Sequence, residues 1–161
     1  MRKEYVDWGQ VEALLDRLLA VLPRDFDVIL AITRGGLIPA CLLSYRGRMR
    51  SMLVAVEHPP LDLDDIFGAP IFCQFPADPL LKGKRVLIVD GMWSTARTMM
   101  AVKTRVEQAG GRPELCVLHY RPQGVWGEPK PDYVGEETDA WIIYPWEPSE
   151  EAHVGGPQPV C

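Results

Sequence analysis

The chain has 161 residues, 47% hydrophobic and 24% charged, with a net charge of −5 from 17 Lys+Arg against 22 Asp+Glu. That length suits one domain with a proper core, and the acidic balance argues against a general nucleic-acid binder, whose footprint would be basic. No apolar run approaches the ~20 residues that span a bilayer, and the scattered cysteines Cys41, Cys73, Cys116 and Cys161 lack the C-x-x-C spacing of a zinc site.

Those thiols fit a reduced, cytoplasmic protein. The N-terminus, MRKEYVDWGQ, has no apolar signal-peptide region. Asp7 and Gln10 have the spacing of a capping box, and Val11, Leu14, Leu15, Leu18, Leu19 and Leu22 follow at helical spacing until Pro23. Val28–Ile32 is a continuous apolar run, suited to a strand buried on both faces. It ends at Thr33-Arg34-Gly35-Gly36, and a helix is expected from Leu37 to about Tyr45. Strand, glycine turn and helix form an anion-binding arrangement, to which Arg34 adds a planar fork suited to phosphate oxygens. The tetrapeptide alone fits an ordinary βα turn equally well.

Met52–Val56 reads as the next strand. From Glu57 to Leu81 the chain turns proline-rich, with an acidic patch at Asp62, Asp64 and Asp65. A connection of that length is expected to be a flexible, functional loop. Part of it, around Ile66, Phe67, Ile71, Phe72 and Phe75, can pack or form a hairpin. The acidic patch reads as a solvated face rather than a metal site.

The stretch KRVLIVDGMWSTART, Lys84 to Thr98, organises the rest. An apolar strand, Val86–Val89, ends at Asp90. A tight turn around Gly91 and a hydroxyl-rich corner, Ser94 to Thr98, lead into a helix through Met99, Val102, Val106 and Ala109 that Gly110-Gly111 closes. Ligands in open α/β sheets sit beyond the carboxyl ends of strands, so the stretch reads as a phosphate cradle with one acid beside it. An acid at the end of a buried strand is costly unless paired or functional. Glu114–Tyr120, Tyr133-Val134 and Trp141–Ile143 are further strands, and the tail from about 147 is expected to be loosely ordered. Strands alternating with helices predict a single α/β domain over 1–161, with a mainly parallel twisted sheet flanked by helices.

Several motifs are missing: G-x-x-x-x-G-K-[ST] of P-loop NTPases, G-x-G-x-x-G of dinucleotide sites and G-x-S-x-G of hydrolases. The two phosphate-type corners, in this order, resemble those of the type I phosphoribosyltransferases. Thr33 to Pro39 is similar to that family's pyrophosphate loop in xanthine-guanine and hypoxanthine enzymes. Val86 to Thr98 is similar to its signature for phosphoribosyl pyrophosphate (PRPP), and Asp139 to Glu147 to the end of bacterial xanthine-guanine enzymes. The resemblance spans about Tyr5 to Trp146. It implies the family fold, with a small hood from the N- and C-terminal segments, and transfer of 5-phosphoribosyl from PRPP to a 6-oxopurine in purine salvage.

Carried over by position, the resemblance assigns pyrophosphate to Thr33, Arg34, Gly35 and Gly36, with Arg34 and Asp90 as catalytic residues. Asp90 takes the ribose hydroxyls. The segment Gly91, Met92, Trp93, Ser94, Thr95, Ala96, Arg97 and Thr98 lines the 5′-phosphate. Arg121 falls where purine enzymes have a lysine against the base's exocyclic oxygen, Trp141 stacks on the purine and Ile142 meets its edge through the backbone. Magnesium is implied, held mostly by PRPP and water with Asp90 nearby, and so is a homodimer or homotetramer. From the residues alone, Trp141 also fits a core aromatic, Trp93 a surface cap or packing, Arg121 a surface charge and His119 a structural residue.

The sequence departs from the family signature at four points. The second of two adjacent acids is Gly91, a third acid is Ser94, the glycine after the threonine is Ala96, and Arg97 follows. Losing a general acid or base removes ~10²–10⁴ in rate. Two alternatives follow: a PRPP- or nucleotide-binding regulatory protein with a degenerate active site, or a transferase for another acceptor.

Overall fold

The computed structural model of the chain describes residues 2–49, 51–57, 70–93, 96–122 and 129–147. Its elements run β1 (Lys3–Tyr5), α1 (Trp8–Val21), β2 (Val28–Ile32), α2 (Leu37–Gly47), β3 (Met52–Glu57), β4 (Phe72–Gln74), α3 (Asp78–Leu81), β5 (Arg85–Trp93), α4 (Arg97–Gln108), β6 (Arg112–Tyr120), β7 (Tyr133–Glu137) and β8 (Trp141–Ile143). Six strands form one sheet in the order β4-β3-β2-β5-β6-β7, parallel throughout except at β4. Strands β1 and β8 pair in a separate two-stranded sheet, joining the N- and C-terminal segments as a hood.

Local chemistry explains the elements. The Asp7 carboxylate accepts from the Gln10 N–H and the Gln10 side chain accepts from the Asp7 N–H, both at 2.8 Å, so two orphan donors of α1 are satisfied. Strand β2 is buried at every position, as a central parallel strand should be. Alternation along β5 feeds both faces. Leu87 and Val89 join α1 and α2 in one core, while Val86 and Ile88 join α4 in the other.

Three expectations change. The connection from 57 to 81 is not wholly a loop. Glu57 completes β3, Phe72–Gln74 pairs antiparallel with it, and Leu81 at the end of α3 is fully buried. The apolar residues flanking the prolines drive this packing. The chain does not turn at Gly91 either. Strand β5 continues through Asp90, Gly91 and Met92 to Trp93, because β6 offers backbone partners as far as Tyr120. Trp93 is 1% exposed and packs edge-on against Tyr120, so it is core and not a cap. The acidic patch at Asp62, Asp64 and Asp65, the hydroxyls of Ser94 and Thr95 and the tail beyond 147 lie outside the described residues.

The sheet order changes direction between β2 and β5: β2 leads outward to β3, and β5 to β6 and β7. The crevice at that switch point is where doubly wound sheets place ligands. Gly36 makes it possible. A Cβ there would stand 2.2 Å from the Val89 carbonyl oxygen and 2.7 Å from that of Ile32, both rigid backbone. Gly36→Ala is therefore expected to destabilise the protein by ~3 kcal/mol or more. A denaturant midpoint equal to the parent's would show that the corner has slack.

Candidate functional site

Two βα corners meet at the switch point. The first follows β2. The Gly36 N–H donates to the Ile32 carbonyl at 2.8 Å and the Leu37 N–H to the Arg34 carbonyl at 3.2 Å, starting α2. The Thr33–Arg34 peptide is cis. Arg34 is exposed and pairs with no acid among the described residues. Its guanidinium is available to an anion.

The second corner is the end of β5. The Asp90 carboxylate accepts from the Gly91 N–H at 2.7 Å. It also lies against the first corner, since a Cβ on Gly35 would meet Asp90 Oδ1 at 2.7 Å. Glycine at 35 thus lets the Asp90 carboxylate sit against the first corner, a position that any side chain there would push aside. Burial raises the Asp90 pKa to about 7, with the Gly91 N–H opposing and the nearby charge of Glu57 adding. A strand-end carboxyl pushed up to about 7 is a functional-site signal.

Beyond Trp93 the chain enters α4 through Ala96, which takes a left-handed conformation (φ 61°) and provides no side-chain cap. Arg97 and Thr98 occupy the first turn. Asp90, Met92, Trp93, Ala96, Arg97 and Thr98 line a cavity of about 140 Å³. The Thr98 hydroxyl donates to Glu57, with its oxygens 3.2 and 3.1 Å away.

Gly91 has little room for a side chain. A Cβ there would stand 3.2 Å from both the Gly35 carbonyl oxygen and Cε2 of Tyr144. The Tyr144 hydroxyl donates to the Gly91 carbonyl at 2.7 Å and lies 2.9 Å from His119 Nδ1. The phenol has one hydrogen, so with it on Gly91 the His119 Nδ1 carries a proton and donates to the phenol oxygen. His119 is 3% exposed, and burial lowers its pKa. It is a structural residue holding Tyr144. The Tyr144 ring stacks on Trp146 at 4.6 Å, and Trp146 meets Trp8 at 5.7 Å.

The remaining candidates lie on the loop after β6 and on β8. The Arg121 N–H donates to the Trp93 carbonyl at 3.0 Å, which fixes the start of that loop beside the second corner. Trp141 is 40% exposed and so is not a core aromatic, while Ile142 is buried. β1 takes up the Trp141 N–H through Arg2 and the Ile143 carbonyl through Val6. In a parallel ladder alternate residues bond to one side, so the Ile142 backbone groups face away from β1.

Two contributors escaped the sequence reading. Glu57 is an acid at the end of an apolar strand, the same pattern that singled out Asp90, but its proline-rich neighbours disguised it as loop. Tyr144 gave no signal, because its partner Gly91 is distant in sequence.

A family model for the phosphoribosyl transferase domain matches residues 1–153. A crystal structure of a purine phosphoribosyltransferase from Pyrococcus horikoshii superimposes with a TM-score of 0.79 at 33% identity, covering 92% of this chain and 97% of that one. A xanthine-guanine phosphoribosyltransferase of Chromohalobacter salexigens is 32% identical over 152 residues, 88% of this chain and 82% of its own. A transcriptional regulator, GfcR of Thermoplasma acidophilum, is 35% identical over 94 residues, 58% of this chain and 43% of its own.

An acid whose pKa is higher folded than unfolded binds its proton more tightly in the native state. Its contribution is greatest in acid and is lost as pH rises from about 4 to about 7. Asp90→Asn should therefore match the parent's melting temperature near pH 4 and exceed it by ~5 °C at pH 8. A pH-independent difference would refute the buried carboxyl. Tyr144→Phe leaves the Gly91 carbonyl and the His119 N–H unpaired, so a loss of ~1–3 kcal/mol is expected in chemical denaturation. No loss would mean that water replaces the hydroxyl.

Proposed function

The chain belongs to the phosphoribosyl transferase domain family, and we propose that it transfers 5-phosphoribosyl from PRPP to a 6-oxopurine, releasing pyrophosphate. The observation that carries this reading is the meeting of two phosphate-type corners at the switch point, with Asp90 Oδ1 against Gly35. In the reaction the bond from the sugar's anomeric carbon to pyrophosphate breaks, and a bond from that carbon to a base nitrogen forms. Charge builds on the sugar and on the departing pyrophosphate, and the nitrogen's proton is lost.

Each group has a task under this reading. Arg34, with the backbone at Gly35, neutralises the pyrophosphate as it leaves. Asp90 accepts from the ribose hydroxyls and fixes the sugar's orientation, which counts for much in a reaction catalysed largely by positioning. Arg97 and Thr98 in the first turn of α4, together with Ser94 and Thr95, take the 5′-phosphate where N–H groups and the helix dipole favour an anion. Trp141 offers a face for the base, and Arg121 and the Ile142 backbone meet its polar edge.

Among the described residues no group of three or more His, Cys, Asp or Glu could hold a metal ion by itself. That suits magnesium, which binds through one or two carboxylates plus substrate phosphates and keeps several waters. Asp90 with the ligand's own oxygens fits such a site. Bound there, the ion would supply charge neutralisation on the pyrophosphate. The proposal includes a cytoplasmic setting and a homodimer or homotetramer.

A second reading, a nucleotide-binding regulator, is favoured by Gly91. The family's second acid is replaced by a residue whose side-chain space is bounded by Tyr144 and the Gly35 carbonyl.

Incubation with magnesium, PRPP and guanine, xanthine or hypoxanthine separates the two. The expected outcome is formation of the matching nucleoside monophosphate and pyrophosphate. No turnover, combined with heat stabilisation by PRPP or GMP, would favour the regulator. Neither turnover nor binding would sink both.

A further inference from the structure

A carboxylate stands at the phosphate corner. Glu57 ends β3, two strands away from β5, yet both of its oxygens lie within 3.2 Å of the Thr98 hydroxyl. Thr98 is the second residue of α4, and Ala96 gives that helix no side-chain cap. Unpaired N–H groups and the dipole make such an end favourable for an anion. Glu57 is the anion already in reach of it.

The same position makes it a competitor. A phosphate entering the corner needs the Thr98 hydroxyl as a donor, and that hydrogen is given to Glu57. It also meets the carboxylate's charge at close range, where like charges repel strongly. The field of Glu57 reaches Asp90 across the crevice, where it adds to the rise in that group's proton affinity. Both effects act on whichever phosphate enters this corner.

We propose that Glu57 sets the phosphate affinity of this corner, as an internal anion that occupies the Thr98 donor in the free protein and must be displaced by the ligand's phosphate. The inference rests on the reading of this corner as the 5′-phosphate cradle. It sets a threshold: weakly held anions fail to displace Glu57, whereas a ligand anchored also at Arg34 and Asp90 succeeds. The same cost falls on every phosphate that enters, so inorganic phosphate, which lacks the other anchors, is left too weakly held to stay.

Glu57→Gln tests it. The amide keeps the size and one acceptor oxygen for Thr98, so the fold and the hydrogen bond survive while the charge goes. Titration calorimetry on the full chain with magnesium should show PRPP and GMP each binding about tenfold more tightly to the variant, the scale of one screened like charge removed. Inorganic phosphate should gain by a similar factor. Equal affinities in parent and variant would overturn the proposal and leave the cradle reading intact. Weaker PRPP binding with loss of its magnesium dependence would also overturn it, making Glu57 a cation-holding residue. No binding of PRPP or GMP to either protein would remove the cradle reading and this inference with it.

Discussion

Everything at the site depends on the contact between the glycine corner after β2 and the end of β5. The two strands are adjacent and parallel, so their carboxyl ends project side by side. Helix α2 must leave β2 directly over the Val89 carbonyl, where any side chain at 36 would collide with backbone. Gly35 continues the same surface and admits the Asp90 carboxylate. Moving either corner outward by the width of one methyl group would separate Gly35 from Asp90 and expose the acid to water. Its raised pKa is a direct consequence of that closeness, since desolvation is the larger cause.

A second constraint follows from the first. Once Gly35 presses on the end of β5, position 91 lies between the Gly35 carbonyl and whatever closes the other side. Here that is the Tyr144 ring, fixed by His119 below and Trp146 alongside. The glycine at 91 and the tyrosine at 144 are therefore one feature. The phenol ties the Gly91 carbonyl to the segment that carries Trp141 and Ile142, so the hood and the β5 corner form a continuous hydrogen-bonded unit. A family acid is given up at 91, and a rigid link between the two halves of the crevice is gained. Such coupling transmits small displacements, because packed interiors resist compression.

The fold was legible because its signals are local. The capping box at Asp7, the fully apolar β2 and the periodic face of α4 each state their own conformation within a dozen residues. The glycine corner between β2 and α2, and the place of Asp90 near the end of β5, were legible for the same reason: strand, then glycine or acid, then helix. Misreadings arose where tertiary partners override local chemistry. Gly91 suggested a turn, but the long β6 ladder carries the strand straight through it. The apolar residues around Phe72 kept a hairpin open despite the prolines, and the edge beside β3 accepts that strand. Trp93 and His119 acquire their roles from Tyr120 and Tyr144, contacts that no window of sequence contains.

The charges of the crevice then limit what can bind. Asp90 and Glu57 face inward from the ends of two strands, while Arg34 stands exposed on the third side. A bare polyanion meets Arg34 and Arg97 but also two acids, so much of the attraction is offset. Under the proposed function, a divalent cation brought by the anion would satisfy Asp90 while the phosphates reached the two corners. A cation-loaded ligand with phosphates at both ends of a sugar would thus gain more from the proposed site than either phosphate alone. Affinity in such a site comes from spanning the corners, and spanning requires the spacing that Gly35 and Gly36 set.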